Sequence, residues 1–390
     1  MSTSLTSGVT LETKMNTSDA IDVLGARVEG TLEQVDSRFP LYADSKTGTW
    51  ETTADGNWCA GHWIGLLWLA SAVTDATDTV TLQRAARAYT EQAGWDALQN
   101  SLFSGMNYRY AGYRAADITD EPSLSAFGQH GAEDSRALFD ETASIIPVGS
   151  FGTRGLEHHV RVNTEGIAAV DAVYTAGGVL WRAARETGDE RYRRLAERHA
   201  ATHRRWFVRA DGSVWHKVAY NTETGDVQKH YNQLTRAPDT CWSRGLGWSI
   251  AGLADAYNAT GETEYLDTLE RHITYYRQHT PPDDVPFAEL GDAAPETYRD
   301  TSAAALTAYG LVRLADESPR AEALRKYGRT VRSSLVKRYL ASEGSRRGQL
   351  REGCYNAVDD VAPQHELIWS TYYLLCSLTV DRHRELFGSR

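Results

Sequence analysis

A chain of 390 residues with 41% hydrophobic residues holds enough apolar side chains for a large core, and its length alone would permit more than one domain. The formal charge of −11 at pH 7 excludes a nucleic-acid or anionic-membrane partner, both of which need clustered Lys and Arg. No apolar run reaches the length of a membrane-spanning helix, and Cys59, Cys241, Cys354 and Cys376 are scattered without the spacing of a zinc or redox site. They are expected to be free thiols.

Residues 1–16 read as a flexible tail. Their polar sequence lacks the basic start and apolar stretch of a secretory signal, so a cytoplasmic protein is expected. From there apolar residues recur at helical spacing and predict helices over 17–35, 59–74, 79–100, 103–116, 121–142, 164–186, 190–207, 240–258, 262–278, 299–315, 319–339 and 364–380. Breaks such as Thr187-Gly188-Asp189-Glu190 and Thr260-Gly261-Glu262 make successive helices into hairpins.

One member of each pair is small or aromatic almost all round, as in HWIGLLWLASAV (62–73), AVDAVYTAGGVLWRAA (169–184), SRGLGWSIAGLADAY (243–257) and TSAAALTAYGLVRLA (301–315). The other is charged on one face, as in ERYRRLAERHAATHRRWF (190–207). A helix that is apolar on all sides is buried, and an amphipathic one lies at the surface. Alternation of the two predicts an all-α fold, a six-hairpin (α/α)6 barrel formed as a single domain over 1–390, with a repetitive solenoid as the runner-up. Strand signals occur at 214–220 and 226–231 around an Asn221–Gly225 turn, predicting a β-hairpin over the barrel mouth.

That hairpin lies within Asp211–Trp248, where His216, Gln233, Arg244, Trp215, Trp242 and Trp248 crowd into one connection. Such a segment suits a sugar site, because binding groups concentrate on loops carried by a rigid scaffold. Asp171 stands amid Ala, Val, Tyr and Gly, where an ionised carboxylate is costly and a raised pKa would suit a general acid. The bland alternative is a structural aspartate that caps or bonds a neighbouring element. Arg244 suits carboxylate recognition beside indole faces, or else pairs with a core carboxylate. Trp63 and Trp68 lie on different helix faces, so at most one faces a pocket. Glu133 and Asp134 read as the solvated face of an outer helix, and Asp300 as a helix cap. A phosphate loop, HExxH and GxSxG are all missing from the sequence.

Taken in order, GHWIGLLWLA, VDAVYTAGGVLWRAARETGDERYRRLAERHA, VRADGSVWHKVAYNTETG, DTCWSRGLGWSIAGL, YRDTSAAALTAYGL and ELIWSTYYLL resemble the unsaturated glucuronyl hydrolases of glycoside hydrolase family 88 over most of the chain. The rhamnogalacturonyl hydrolases of family 105 share that architecture, and the tryptophan-rich WSRGLGW favours family 88. The resemblance implies a six-hairpin barrel without metal or organic cofactor; a monomer or homodimer is expected. The implied substrate is an oligosaccharide ending in an unsaturated uronic acid, whose C4=C5 double bond is hydrated so that the saccharide is released. It also implies Asp171 as acid and base; His216, Gln233 and Arg244 as substrate-binding groups; Trp63, Trp242 and Trp248 as aromatic walls; and Tyr355 as a further contact. The family's second aspartate falls in register with Asn107, or in an alternative register with Asp134. Asn107 keeps the shape of an aspartate but cannot ionise, which leaves two other readings beside hydration: a lyase or modified hydratase, and a sugar-binding protein without catalysis.

Overall fold

The computed structural model describes residues 15–74, 78–150, 166–295, 298–315 and 317–387. Residues 1–14, which make up most of the expected tail, lie outside them.

Helix α1, Thr17–Gln34, starts in a capping box in which Asn16 and Asp19 satisfy each other's backbone N–H groups. It is followed by α2 (Ala60–Val73), α3 (Thr79–Gln92) and α4 over 104–119, whose two α-helical pieces are joined by a π-helical turn at Arg109–Tyr113. Then come α5 (Pro122–Leu138), α6 over 172–187 with a break at Ala176, and α7 (Glu190–Phe207). The other long helices among the described residues are α8 (Ser243–Thr260), α9 (Thr263–His279), α10 (Thr301–Val312), α11 (Pro319–Ser334) and α12 (Ile368–Thr379). Gly188 and Gly261 end α6 and α8 in the left-handed conformation that favours glycine, which fixes both hairpin turns.

Even-numbered helices pack α2–α4–α6–α8–α10–α12 and back to α2, closing an inner ring, and each odd-numbered helix lies outside against inner neighbours. The fold is the all-α (α/α)6 barrel expected from the alternation. Its axis is filled by aromatic rings: the Tyr110 hydroxyl bonds those of Tyr174 and Tyr373 at 2.9 and 2.8 Å, and Tyr373 bonds His62 Nε2 at 3.1 Å. One hydrophobic cluster runs from Ala20 to Leu378. All four cysteines are buried and free.

Short sheets decorate the end of the ring where the inner helices begin. Strand β1 (Phe39–Ala43) pairs with β2 (Trp50–Thr53) and β8 (Glu366–Leu367), and β6 (Cys241–Trp242) pairs with β7 (Glu289–Leu290). The expected hairpin is present as β4 (Lys217–Tyr220) and β5 (Val227–Tyr231), but a further strand, β3 (Ile167–Ala169), joins it. This corrects the helix expected over 164–186. Cross-strand pairing of Ile167–Ala169 with β4 overrides the helical preference of its alanines, and Asp171 sits on the turn just before α6.

Candidate active site

Because inner helices all run in one direction, the residues that precede or open them meet at one end of the barrel. A cavity of about 180 Å³ opens there, lined by Trp58 before α2, Leu102 and Phe103 before α4, Asp171 before α6, and Trp242, Arg244 and Trp248 on and before α8. The sheet contributes Ala169, His216 and Lys217, the chain after it Gln233 and Leu234, and the loop before β8 Tyr355, Asn356, Asp359 and Val361. The starts of α2, α4, α6 and α8 flank the cavity, and helix N-termini favour an anionic ligand.

The Asp171 carboxyl is almost wholly buried at the cavity wall. Burial pushes its pKa up to about 6, against the opposing pull of Arg244 and Lys217. It therefore exchanges protons near neutral pH, as a general acid and base must. Arg244 donates to Asp300 at 2.7 Å, Ser302 at 3.1 Å, and the carbonyls of Cys354 and Tyr355 at 2.5 and 2.6 Å. Its guanidinium lies 4.7 Å from the Trp242 ring centre. Gly245 makes room for that ring, since a Cβ there would come within 2.8 Å of it. Asp300 also caps α10, so the capping reading and the core ion-pair reading of Arg244 describe one arrangement.

His216 accepts a hydrogen bond at Nδ1 from the Gln233 N–H at 3.4 Å. Burial, reinforced by Lys217 and Arg244, holds its pKa well below the usual range, so the ring is neutral and its proton is on Nε2. Its ring packs at a tilt against Trp242, with ring centres 4.8 Å apart. The Tyr355 hydroxyl accepts from Trp58 Nε1 at 3.0 Å, and burial lifts its pKa to about 12, so it stays protonated. Glu289 accepts from the backbone N–H groups of Arg236 and Ala237 and from the Thr240 hydroxyl, pinning the connection that carries Gln233 and Leu234.

The structure brings Asp171, His216, Gln233, Trp242, Arg244, Trp248 and Tyr355 together around one cavity, as expected. Trp63 and Asn107 lie elsewhere. Trp63 is fully buried and turns outward from the ring onto Tyr89 of α3, with ring centres 5.8 Å apart. Trp58, one turn earlier in the chain, takes the place at the cavity. Asn107 is also fully buried: Nδ2 donates to the carbonyls of Trp58 and Phe103 at 2.8 Å each, and Oδ1 accepts from the Gly61 N–H at 2.5 Å. Gly61 permits this, because a Cβ would lie 2.6 Å from the Asn107 Cα. The amide thus ties α2 to α4 behind two cavity residues, a task in which an aspartate could not supply the two donors. Asp134 accepts from the Ser104 hydroxyl at 2.5 Å and does not line the cavity either. Glu133 bonds Arg136 and Tyr192 on the outer face.

Lys217, Trp58 and Asp359 line the cavity and were not anticipated. Among the described residues there is no group of three or more His, Cys, Asp or Glu side chains able to hold a metal ion. No described helix is long and apolar enough to cross a membrane.

The family model for glycosyl hydrolase family 88 matches residues 35–359. The chain belongs to glycosyl hydrolase family 88. As a family member it is a glycosidase-type enzyme. It is 27% identical over 366 residues to the unsaturated glucuronyl hydrolase of Bacillus sp. (strain GL1), covering 92% of this chain and 94% of that protein. It is 24% identical to the unsaturated chondroitin disaccharide hydrolase of Streptococcus pyogenes serotype M1, over 92% of this chain and 89% of that one. In fold it superposes on the crystal structure of the Bacillus sp. GL1 enzyme with a TM-score of 0.81 at 24% identity, covering 95% of this chain and 97% of the other. An unsaturated glucuronyl hydrolase specific for heparin gives 0.80 at 18% identity, over 96% and 97%.

Proposed function

We propose that this family 88 member hydrates the C4=C5 double bond of an unsaturated uronic acid at the non-reducing end of an oligosaccharide and thereby releases the saccharide. The observation that carries this reading is the Asp171 carboxyl buried at the wall of a cavity that Trp58, Trp242 and Trp248 also line, where burial pushes its pKa up to about 6. The names of the Bacillus and Streptococcus relatives support the substrate class.

Protonated Asp171 delivers its proton to C4 while water adds at C5, and the resulting Asp171 carboxylate takes the surplus proton of that water. The addition converts the enol ether at C5 into a hemiketal. Its ring opens, and the hemiacetal exposed at C1 lets go of the remaining saccharide. Asp171 is assigned both the acid and the base role because it is the buried carboxyl of the cavity, whereas neither Asn107 nor Asp134 lines it. Trp242 and Trp248 offer faces for the sugar ring, and the neutral His216 offers an N–H donor.

Ultraviolet absorbance of the conjugated double bond tests the proposal directly. With unsaturated uronyl disaccharides the absorbance is expected to fall with enzyme, and a rise would indicate the lyase reading instead. No change across a broad panel of unsaturated disaccharides would overturn it.

A further inference from the structure

Asn232 and Gln233 follow β5 as neighbours, and their side-chain amides are used to different extents. Asn232 uses both ends: Oδ1 accepts from the His216 N–H at 3.0 Å, and Nδ2 donates to the carbonyls of Pro238 and Thr240 at 2.9 and 2.7 Å. It fastens the connection to the sheet. Gln233 uses one end only. Its Oε1 accepts from Lys217 Nζ at 2.5 Å, whereas its Nε2 has no acceptor among the described residues. An amide nitrogen carries two donors, and Gln233 lines the cavity, so their acceptors come from whatever fills it.

Lys217 decides which end of that amide it holds. Its β4 position is paired with Ala169 of β3 on one side and Tyr231 of β5 on the other, and Gln233 follows Tyr231 at strand spacing. Cross-strand partners share a face of the sheet, and Ala169 is small enough to leave the long lysine room. Only 4% of Lys217 is exposed, so fixed partners take the place of water around its ammonium group. An ammonium group donates and never accepts, so it holds Oε1 and turns Nε2 away from itself. Were the amide reversed, donors would face donors. The backbone N–H of Gln233 meanwhile bonds His216 Nδ1 at 3.4 Å, which leaves the His216 proton on Nε2. Gln233 and His216 are thus both set up as N–H donors at the cavity wall.

We propose that Lys217 is a positioning residue that acts through Gln233: it fixes the amide with its nitrogen toward the sugar, so that this wall donates to a uronate carboxylate and offers a ligand hydroxyl no acceptor. The inference rests on the uronyl reading above. A glutamine free to turn over can meet a hydroxyl with its oxygen or a carboxylate with its nitrogen. Lys217 removes that choice before substrate arrives, which also reduces the ordering cost of binding. Its charge draws electron density toward Oε1 and strengthens the N–H donors at the other end of the amide. A carboxylate only accepts, and hydrogen bonds to an ionised acceptor are the stronger kind.

The test measures kcat and KM on an unsaturated uronyl disaccharide for the full-length chain, Lys217→Met, Lys217→Arg, Gln233→Ala and the double variant Lys217→Met with Gln233→Ala. Lys217→Met is expected to raise KM about tenfold with a smaller fall in kcat, and Lys217→Arg, which also only donates, to recover part of the loss. Once Gln233 is alanine, Lys217→Met should change KM by less than about twofold, because its effect passes through the amide. An effect of Lys217→Met that is as large without Gln233 as with it would overturn the positioning role while leaving the proposed function standing. If Lys217→Met does not fold, Gln233→Glu against Gln233→Ala decides. Glutamate puts a carboxylate oxygen where the amide nitrogen faces the sugar, so its KM should exceed that of Gln233→Ala by about tenfold. A KM no higher than that of Gln233→Ala would mean that the amide oxygen faces the sugar, and would overturn the role of Lys217. An unsubstituted chain inactive on every unsaturated disaccharide would overturn the proposed function as well.

Discussion

At the end where the inner helices begin, Asp171 is buried beside a cavity and its pKa is pushed up to about 6. At the end where they finish, Asp255 is buried to the same degree, yet it is held below the usual carboxylate range. Burial alone would raise both. Arg109 and Arg313 grip Asp255 directly, at 3.0 Å in the case of Arg109, and override the desolvation. A cavity of about 400 Å³ opens at that end too, lined by Arg109, Arg182, Arg185, Arg193 and Arg313. Its size exceeds that of the candidate site, but Arg109, Arg182, Arg193 and Arg313 are spent on Asp255, Asp117, Glu186 and Glu197, and on helix-end carbonyls such as that of Ala251. Cations at helix C-termini and matched charges serve stability. Charge that folding leaves poorly compensated is what chemistry uses.

The sharpest way to break this contrast is to neutralise each aspartate in turn. Asp171→Asn should reduce the rate by about 10³-fold or more in the absorbance assay, while melting at the same or a higher temperature at pH 7. Asp255→Asn should do the reverse, costing about 3–5 kcal/mol of stability because it strands two buried guanidiniums, with kcat largely kept in whatever fraction folds. Denaturant titrations and the rate assay together separate the two outcomes.

Asn107→Asp tests the structural role of the amide that ties α2 to α4. A carboxylate there would face the carbonyls of Trp58 and Phe103 and lose both donor bonds, so about 3 kcal/mol of stability should be lost with no gain in rate. A faster enzyme would contradict the structural role.

The pH responses should oppose each other as well. Asp171, with a folded pKa raised from 3.8, contributes stability that is full below about pH 3.8 and is lost as pH rises through about 6. Asp255, with a lowered pKa, contributes stability that is present above about pH 3.8 and lost as pH falls further. Melting temperatures of the two Asn variants, subtracted from those of the unsubstituted chain across pH 3–8, should therefore slope in opposite directions. Activity should decline above about pH 6 as Asp171 loses its proton. Trp58→Phe is the mildest change: it keeps an aromatic wall and removes the bond to Tyr355, so KM should rise by about fivefold or less.

Periodicity sufficed for the barrel because a helix of the inner ring must be apolar on all sides and one of the outer ring on one side only, and α2 and α7 display that difference over their whole lengths. Local patterning says less about strands buried on both faces. Residues 217–220 show no strict alternation in burial, and Ile167–Ala169 is too short to be distinguished from a helix start. His216, Gln233, Trp242, Arg244 and Trp248 were legible because Asp211–Trp248 concentrates them. Trp63 misled because helical spacing does not say which face turns inward, and in α2 that indole packs between the two rings. The register that sets Asn107 against the family's second aspartate is read from spacing alone, and spacing carries no information about side-chain direction. The signal for Lys217 was present: it is one of only six lysines, with Lys14, Lys46, Lys229, Lys326 and Lys337, in a chain that otherwise uses arginine.

Arg244 has one more consequence, for the order in which the molecule assembles. Its four acceptors lie between 56 and 111 residues away, and the chain's first helix is likewise joined to its last strand by Arg27 and Glu366, 339 residues apart. Contacts of such long range form late, because the loops they close cost entropy before anything compensates. In refolding from denaturant, helical circular dichroism should therefore return well before the rate does. Enzymatic turnover is the reporter of ring closure, and a ribosome-bound chain lacking its last helix would be helical and inert.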